Sequence, residues 1–265
     1  MKKRFALVLA VIMTASLLFT GCGAKQEEQT EGETLVVGFD ASFPPYGYKE
    51  GDDYVGFDLD LAQEVCDRNG WELVKQPIDW DVKDGELDAG TIDCIWNGFT
   101  INGREDDYTW SEPYVDNSQV FVVIEGSGIE STADLTGKVV LVQADSSALH
   151  ALEDEENTEA YALAQTFASL DQVPEYETAL MNLEAGAADA VAMDIGVAQN
   201  KMESNDKLVI LDEILATEQY GVGFKKGNTE LRDAVQATLD EMAEDGTFME
   251  IAEKWGLTDS VCLGK

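Results

Sequence analysis

The sequence predicts an α/β fold with doubly wound, largely parallel sheets. Strand and helix patterns alternate from residue 34 to residue 97, which is typical of a parallel sheet covered by helices. The alternation begins again after a strong apolar run at residues 119–124. Hydrophobic residues make up 45% of the 265 residues, enough for a sizeable core in one large domain or two ordinary ones.

The first strand pattern, Thr34–Phe39, is apolar and β-branched and stops at Asp40. Pro44 and Pro45 stiffen the loop that carries Phe43. Ligands of open α/β sheets bind beyond the C-terminal ends of the strands. Asp40 and Phe43 are therefore either a polar contact and an aromatic plate for a ligand, or a turn cap and a core residue. The pattern does not decide between these interpretations.

A helix follows, with Asp58 as its predicted N-cap and Asn69-Gly70 as its stop. Residues 71–74 are the next predicted strand, and Trp80 is expected on the loop after it. Another buried strand begins near residue 93, which completes the order strand, helix, strand, helix, strand.

The end of this strand carries the clearest functional pattern. The strand breaks at Gly98, presents Thr100 and ends at Arg104, which is followed by three acidic residues. An arginine beside a hydroxyl and free backbone N–H groups suits a carboxylate, because its planar fork binds both oxygens. We expect this loop to hold the α-carboxylate of a small molecule.

The second alternation also places polar residues at strand ends. A predicted strand at residues 138–142 leads to Ser146 and Ser147, which open a helix. Two hydroxyls and free N–H groups at a helix start favour an anion, whereas an ordinary N-cap needs only one serine. A strand at residues 190–193 delivers Asp194, which either holds an ammonium group or caps the next helix.

The C-terminal region predicts a strand at residues 220–224 and amphipathic helices at residues 231–243 and 247–255, whose apolar stripe is core rather than a cofactor site. The chain has one histidine and no cysteine spacing typical of a metal site, so no metal or cofactor is expected. We expect Cys66 and Cys94 in the core. One disulfide between two of the cysteines at positions 66, 94 and 262 is possible, and the sequence does not select the pair.

The formal net charge of −36 argues against nucleic acid and against a basic membrane-binding face. It is interpreted as a solvated acidic surface; a ligand that is cationic overall is the alternative.

The N-terminal residues predict export. Three cations at residues 2–4 precede an apolar run at residues 5–19, which is typical of a signal peptide. The stretch before Cys22 resembles the lipobox of bacterial lipoproteins, so residues 1–21 are the predicted signal peptide and Cys22 the acylated residue, with palmitate among its acyl chains. Residues 22–33 are the predicted tether, polar and without periodicity. An ordinary secretion signal with a chance cysteine is the alternative.

Six stretches of the sequence, taken in their order along the chain, resemble the polar amino acid family of extracellular solute-binding proteins of bacterial ABC importers (family 3, lipoprotein form). The resemblance covers residues 34–257 and implies a type II periplasmic-binding-protein-like fold of two lobes. Lobe 1 would comprise residues 34–121 and 219–265, and lobe 2 residues 122–218. Two doubly wound sheets would be joined by a two-strand hinge, with the ligand in the cleft. The stretches are VGFDASFPPY (37–46), GFDLDLAQEV (56–65), DCIWNGFTINGR (93–104), QADSSA (143–148), AGAADAVAMD (185–194) and YGVGFKKGN (220–228).

The resemblance also implies binding roles. Arg104 matches the arginine that pairs with the ligand carboxylate, and Ser146 and Ser147 match the helix start that closes on it. Asp194 matches the acid that holds the α-ammonium. The remaining implied contacts are the aromatic plate Phe43, the side-chain pocket residues Asp40 and Trp80 with Trp96 at their border, the hydroxyl of Thr100 and the backbone of Gly98.

Two departures from the family pattern stand out. Arg104 follows Thr100 by four positions where five are common, and we expect it still to reach the ligand because no other cation is near. Asp145 stands where glycine is common; we expect its side chain to point outward or to favour a cationic side chain on the ligand.

The expected function is that of a lipid-anchored, extracytoplasmic binding protein, a monomer without cofactor, that passes a polar or basic amino acid to an ABC permease. A dehydratase-type enzyme on the same fold is one alternative: Asp40, Glu112 and Asp194 could act as acids or bases, but no histidine or cysteine nucleophile is predicted near the cleft. A sensor module is the other, which we expect to continue into a membrane span and a signalling domain.

Overall fold

The computed structural model describes residues 33–264. The predicted signal peptide and Cys22 lie outside the described residues, as does the predicted tether up to residue 32. Within residues 33–264, no helix combines the length and the apolar character needed to cross a membrane.

Strands and helices alternate through most of this region. The strands are β1 (Thr34–Phe39), β2 (Ser42–Phe43), β3 (Gly47–Glu50), β4 (Asp53–Val55), β5 (Glu72–Pro77), β6 (Cys94–Thr100), β7 (Thr109–Trp110), β8 (Val115–Ile124), β9 (Val139–Gln143), β10 (Ser169–Val173), β11 (Ala190–Asp194), β12 (Leu208–Ile210) and β13 (Ala216–Phe224). The helices are α1 (Phe57–Asn69), α2 (Lys83–Ala89), α3 (Ser147–Glu153), α4 (Thr158–Ala164), α5 (Tyr176–Glu184), α6 (Ile195–Ser204), α7 (Thr229–Asp245) and α8 (Thr247–Lys254), with 3-10 turns at Trp80–Val82 and Thr132–Leu135.

The main sheet is a single hydrogen-bonded path in the order β10-β9-β11-β8-β13-β6-β1-β5, with β12 on β8 and β7 on β13. Parallel pairs occupy both ends, where β1 joins β5 and β6, and β9 joins β10 and β11. The middle is antiparallel, because β8 pairs with both β11 and β13. The predicted parallel order is thus present on each side, and two long antiparallel strands connect the sides.

Strand β8 changes partner at Gln119. Residues 115–119 pair with β13, and residues 119–123 pair with β11. Such a strand belongs to both ends of the sheet. We call residues 34–121 and 219–264 the β1 side, and residues 122–218 the β9 side.

Helix ends follow local sequence signals. Gly70 ends α1 with a φ of 70°, a left-handed conformation that glycine adopts without steric cost. Ser131 and Asp134 form a reciprocal capping box at the second 3-10 turn. The prediction that Asp58 is an N-cap is wrong: α1 begins at Phe57 after Gly56, and Asp58 is fully buried.

Trp80 also departs from expectation, because it begins a 3-10 turn instead of lying on an irregular loop. The acidic run near residue 155 continues into α4, which was not predicted. Cys66 and Cys94 are buried thiols in the core, as predicted.

Candidate ligand-binding site

A small cavity lies where the two sides of the molecule meet at strand ends, with about 20 Å³ of room for water-sized molecules. The β1 side and the β9 side both contribute to its walls. The lining residues are Phe43, Trp80, Asn97, Gly98, Thr100, Arg104, Gln143, Ser146, Ser147 and Asp194.

Arg104 reaches this cavity through a tight turn after β6. Its backbone N–H donates to the carbonyl of Ile101 over 2.9 Å, and Gly103 adopts a φ of 80°. This turn returns the chain to the strand end, so the short spacing from Thr100 does not prevent Arg104 from lining the cavity.

The guanidinium of Arg104 is buried and contacts uncharged acceptors from both sides. It donates to the backbone carbonyl of Thr100 (3.4 Å), to Ser147 Oγ (3.2 Å) and to the backbone carbonyl of Asp145 (3.1 Å). The charged plane also lies 5.4 Å from the ring centroid of Phe99. Because these acceptors carry no formal charge, the arginine retains its capacity to bind an anion.

The two serines at the start of α3 have different partners. Ser146 Oγ accepts from the backbone N–H of Leu149 over 3.3 Å and is the N-cap. Ser147 Oγ instead accepts from Arg104. One serine thus serves the helix and the other lies against the cavity arginine.

Asp194 is a buried carboxylate with several donors. One oxygen accepts from Asn117 (2.8 Å), from Gln119 (2.7 Å) and from the hydroxyl of Tyr220. The other accepts from the hydroxyl of Tyr176 (2.7 Å). Asp194 occupies the N-cap position of α6, but its carboxylate makes no capping hydrogen bond and is held by the donors above instead.

Phe43 and Trp80 form aromatic walls. The Phe43 ring stacks on Tyr176 of the β9 side with centroids 5.8 Å apart, and Trp80 meets Phe99 edge-on at 5.4 Å. Trp96 does not lie at this cavity: it is fully buried and packs against Tyr114.

Asp40 lies just behind the cavity lining. Its carboxylate accepts from Gln143 Nε2 (2.7 Å) and from the backbone N–H of Ser42 (2.7 Å). Burial raises the pKa of Asp40 to about 6, against the opposing effect of these hydrogen bonds. Asp40 therefore reaches the cavity through Gln143, a residue of the opposite side.

Gly98 brings the backbone of β6 close to two aromatic rings. Its φ is 56°, and a Cβ atom there would lie 2.8 Å from Phe43 Cε1 and 2.9 Å from Tyr220 Cε2. Its N–H donates to Asp58 Oδ2 over 2.6 Å. Burial raises the pKa of Asp58 to about 7. Asp58 thus holds the backbone of β6 in place at Gly98.

Comparison with known proteins shows the family of this chain. Residues 35–258 match the family described as bacterial extracellular solute-binding proteins, family 3. The chain belongs to this family. The arginine-binding extracellular protein ArtP of Bacillus subtilis is 29% identical, with 96% of this chain and 98% of ArtP covered. The L-cystine-binding protein TcyJ of Escherichia coli K12 is 32% identical, with 94% of this chain and 92% of TcyJ covered.

A solved structure shows the same fold. The substrate-binding protein of an ABC uptake transporter from Streptococcus pneumoniae, solved with bound histidine, superposes with a TM-score of 0.79 at 34% identity. The match covers 84% of this chain and 92% of that one. The fold of this solute-binding protein is thus that of the type II periplasmic amino-acid-binding proteins, as the sequence predicted.

Three polar residues of the site escaped the sequence prediction. Asn97 and Gln143 line the cavity, and Glu218 lies behind Asp194. Burial, and then the charge of Asp194, raise the pKa of Glu218. A signal existed for Glu218, because it lies two residues before Tyr220 on β13 and so shares its buried face.

The expectation that no other cation is near Arg104 is wrong. Lys83 is buried, and its ammonium pairs with the carboxylate of Asp145. This contact also accounts for the unusual acid at position 145: its carboxylate pairs with a lysine of the protein itself, which was not predicted.

Proposed function

We propose that this solute-binding protein is anchored by lipid on the outer face of the cell membrane and passes a polar or basic amino acid to an ABC import permease. One observation carries the proposal: Arg104 and Asp194, a buried cation and a buried anion, line the same small cavity. An amino acid is a zwitterion and needs one group of each sign. Both groups act more strongly in a cavity that excludes water.

The ligand carboxylate is assigned to Arg104, with the hydroxyls of Thr100 and Ser147 beside it. The α-ammonium is assigned to Asp194 and to the backbone of Gly98. The donors to Asp194 hold its carboxylate in one orientation, which lowers the cost of ordering it when the ligand binds.

The ligand side chain is assigned to the space between Phe43 and Trp80. Two flat rings suit an extended or planar group. Asp40 and Gln143 favour a hydrogen-bond donor or a positive charge at its far end. Similar proteins are named for arginine and cystine, and one was solved with histidine. Arginine and cystine have extended polar side chains, and histidine has a planar one.

Closure of two lobes provides the transport signal. The β1 side (with residue 265) and the β9 side are proposed as the lobes, and β8 and β13 as the hinge. Direct contacts between the sides support this: Arg104 meets Ser147, and Asp40 meets Gln143. A ligand held by both lobes shifts the open–closed equilibrium by its extra affinity for the closed form. The permease then recognises a closed monomer.

Anchoring is assigned to Cys22 after removal of residues 1–21, with residues 22–33 as the tether. A Cys22→Ala variant should leave the membrane fraction and accumulate outside the cell. Retention of this variant in the membrane fraction would contradict the lipid anchor.

The cavity is assigned to binding without chemical change, as in the family. A thermal-shift panel of the twenty amino acids, L-ornithine and L-cystine tests this. One or a few should raise the melting temperature, because a ligand that binds only the folded state stabilises it by mass action. The bound compound should be recovered unchanged. If only a sugar or a peptide shifts the transition, or if a product forms, the proposal fails.

A further inference from the structure

Lys83 is a buried lysine outside the cavity. It is the first residue of α2, and 1% of its side chain is exposed. A buried ammonium is costly unless it is paired. Its partner is the Asp145 carboxylate, and its Nζ lies 5.1 Å from the ring centroid of Trp80, a cavity wall. The cost of burying Lys83 is therefore offset by one ion pair and by cation–π contacts with Trp80 and Phe99.

Asp145 connects this ion pair to the cavity arginine. One carboxylate oxygen contacts Lys83 and the other contacts His150 Nε2 at 3.0 Å. Its backbone carbonyl accepts from Arg104 Nη2. Burial opposes ionisation, but hydrogen bonds from His150 and Lys83 and the charges of Lys83 and Arg104 hold the pKa of Asp145 well below its usual range. Asp145 also has a φ of 56°, which aspartate and asparagine tolerate better than most residues.

Among the ion pairs of residues 33–264, only this one joins the two sides of the molecule. Every other pair there joins residues of the same side, as Lys201 and Glu177 do on the β9 side, and Arg68 and Asp245 on the β1 side. Lys83 belongs to the β1 side and Asp145 to the β9 side. The pair therefore exists only while the two sides are together.

We infer that Lys83 is a positioning residue that latches the closed cleft through Asp145 and so slows the escape of a ligand that it does not touch. The inference rests on the proposed function, because a latch needs an amino acid that binds by closure. When the cleft opens, Lys83 and Asp145 separate into water. Opening must then break a partly buried ion pair in addition to the ligand contacts, which raises the barrier to dissociation.

Dissociation rates test the latch. Lys83→Met and Asp145→Asn are compared with the parent chain by stopped-flow tryptophan fluorescence, using every compound of the amino-acid panel that binds the parent. Each variant should weaken affinity by about tenfold or more, mainly through faster dissociation. The double variant should be little weaker than either single one, because the two residues act as a pair.

Three controls separate a latch from a general structural role. Lys201→Met removes a lysine from an ion pair within one side and should change affinity less than about twofold. Lys83→Arg keeps the charge and should restore part of the slow dissociation. High salt should weaken ligand binding by the parent more than by Lys83→Met, since it screens the ion pair. Asp145→Asn suits the left-handed backbone, so it reports on the pair even if Lys83→Met fails to fold.

The latch is overturned if the parent binds an amino acid and Lys83→Met releases it at the parental rate, or if the effects of Lys83→Met and Asp145→Asn simply add. A failure of the proposed function looks different: the parent itself would bind no amino acid of the panel, and the latch would fall with it.

Discussion

Asp194 and Glu218 accept hydrogen bonds from the same two amide groups, those of Asn117 and Gln119, at 2.7–2.8 Å. All four side chains are buried: Asn117, Gln119 and Glu218 lie on the two strands that connect the sides of the molecule, and Asp194 ends the neighbouring strand β11. Burial raises the pKa of Glu218, and the charge of Asp194 raises it further, because two carboxyl groups this close disfavour double ionisation. The pair therefore favours a single negative charge at the cavity for a ligand ammonium.

Stability should fall as the pH rises from about 4 to about 7. Asp40 and Asp58 have pKa values raised by burial to about 6 and about 7, and that of Glu218 is raised as well. In this window the folded state holds protons that the unfolded chain has released, so each step up in pH favours unfolding. The melting temperature should drop by at least about 5 °C. Glu218→Gln should flatten the profile; an identical pH profile in that variant would contradict the assignment.

Arg104→Ala should abolish most binding without unfolding the protein. The variant removes the cation assigned to the ligand carboxylate, and an affinity loss of about 100-fold or more is expected for a buried charge-assisted pair. Titration calorimetry measures it. Arg232→Ala is the matched control, because Arg232 contacts Asp233 and the backbone of Trp110 and does not line the cavity. Equal losses in both variants would remove Arg104 from the site.

Asp194→Asn should separate binding from folding. The amide oxygen of asparagine can still accept from Asn117, Gln119 and Tyr220, so the melting temperature should change by only a few degrees. The negative charge is lost, and affinity for the ammonium group should drop about 100-fold or more. Asp171→Asn, an exposed carboxylate on β10, is the control. Retained affinity at position 194 would exclude an ammonium contact there.

Gly98→Ala should destabilise the protein by about 2–4 kcal/mol, since backbone strain adds to a steric clash with Phe43 and Tyr220. Gly126→Ala shares the positive φ, 74°, but its Cβ would meet nothing within 4 Å. The control should therefore cost only about 1 kcal/mol. Urea unfolding compares the two, and equal costs would show that contact with the rings is unimportant.

Much of the candidate site was predictable because its residues lie at the ends of strongly patterned strands. Arg104 follows β6 and Asp194 ends β11, and both patterns are local in sequence. Phe43, Trp80, Gly98, Thr100, Ser146 and Ser147 were likewise assigned to the site from the sequence and all line the cavity. Trp96 was misplaced because β6 is buried along its whole length, so its sequence does not reveal which face meets the cavity and which meets the core.

The sequence by itself determined the α/β fold class, the order of the main elements and the strand ends that carry Arg104 and Asp194, because hydrophobic periodicity and chain breaks are local properties. Only the tertiary structure decided the partners of the buried charges. Lys83 pairs with Asp145, which lies 62 residues further along the chain. Asp58 does not cap its helix but accepts from the backbone N–H of Gly98, 40 residues away. Such pairs depend on strand register and on the approach of the two sides, and no local pattern records either.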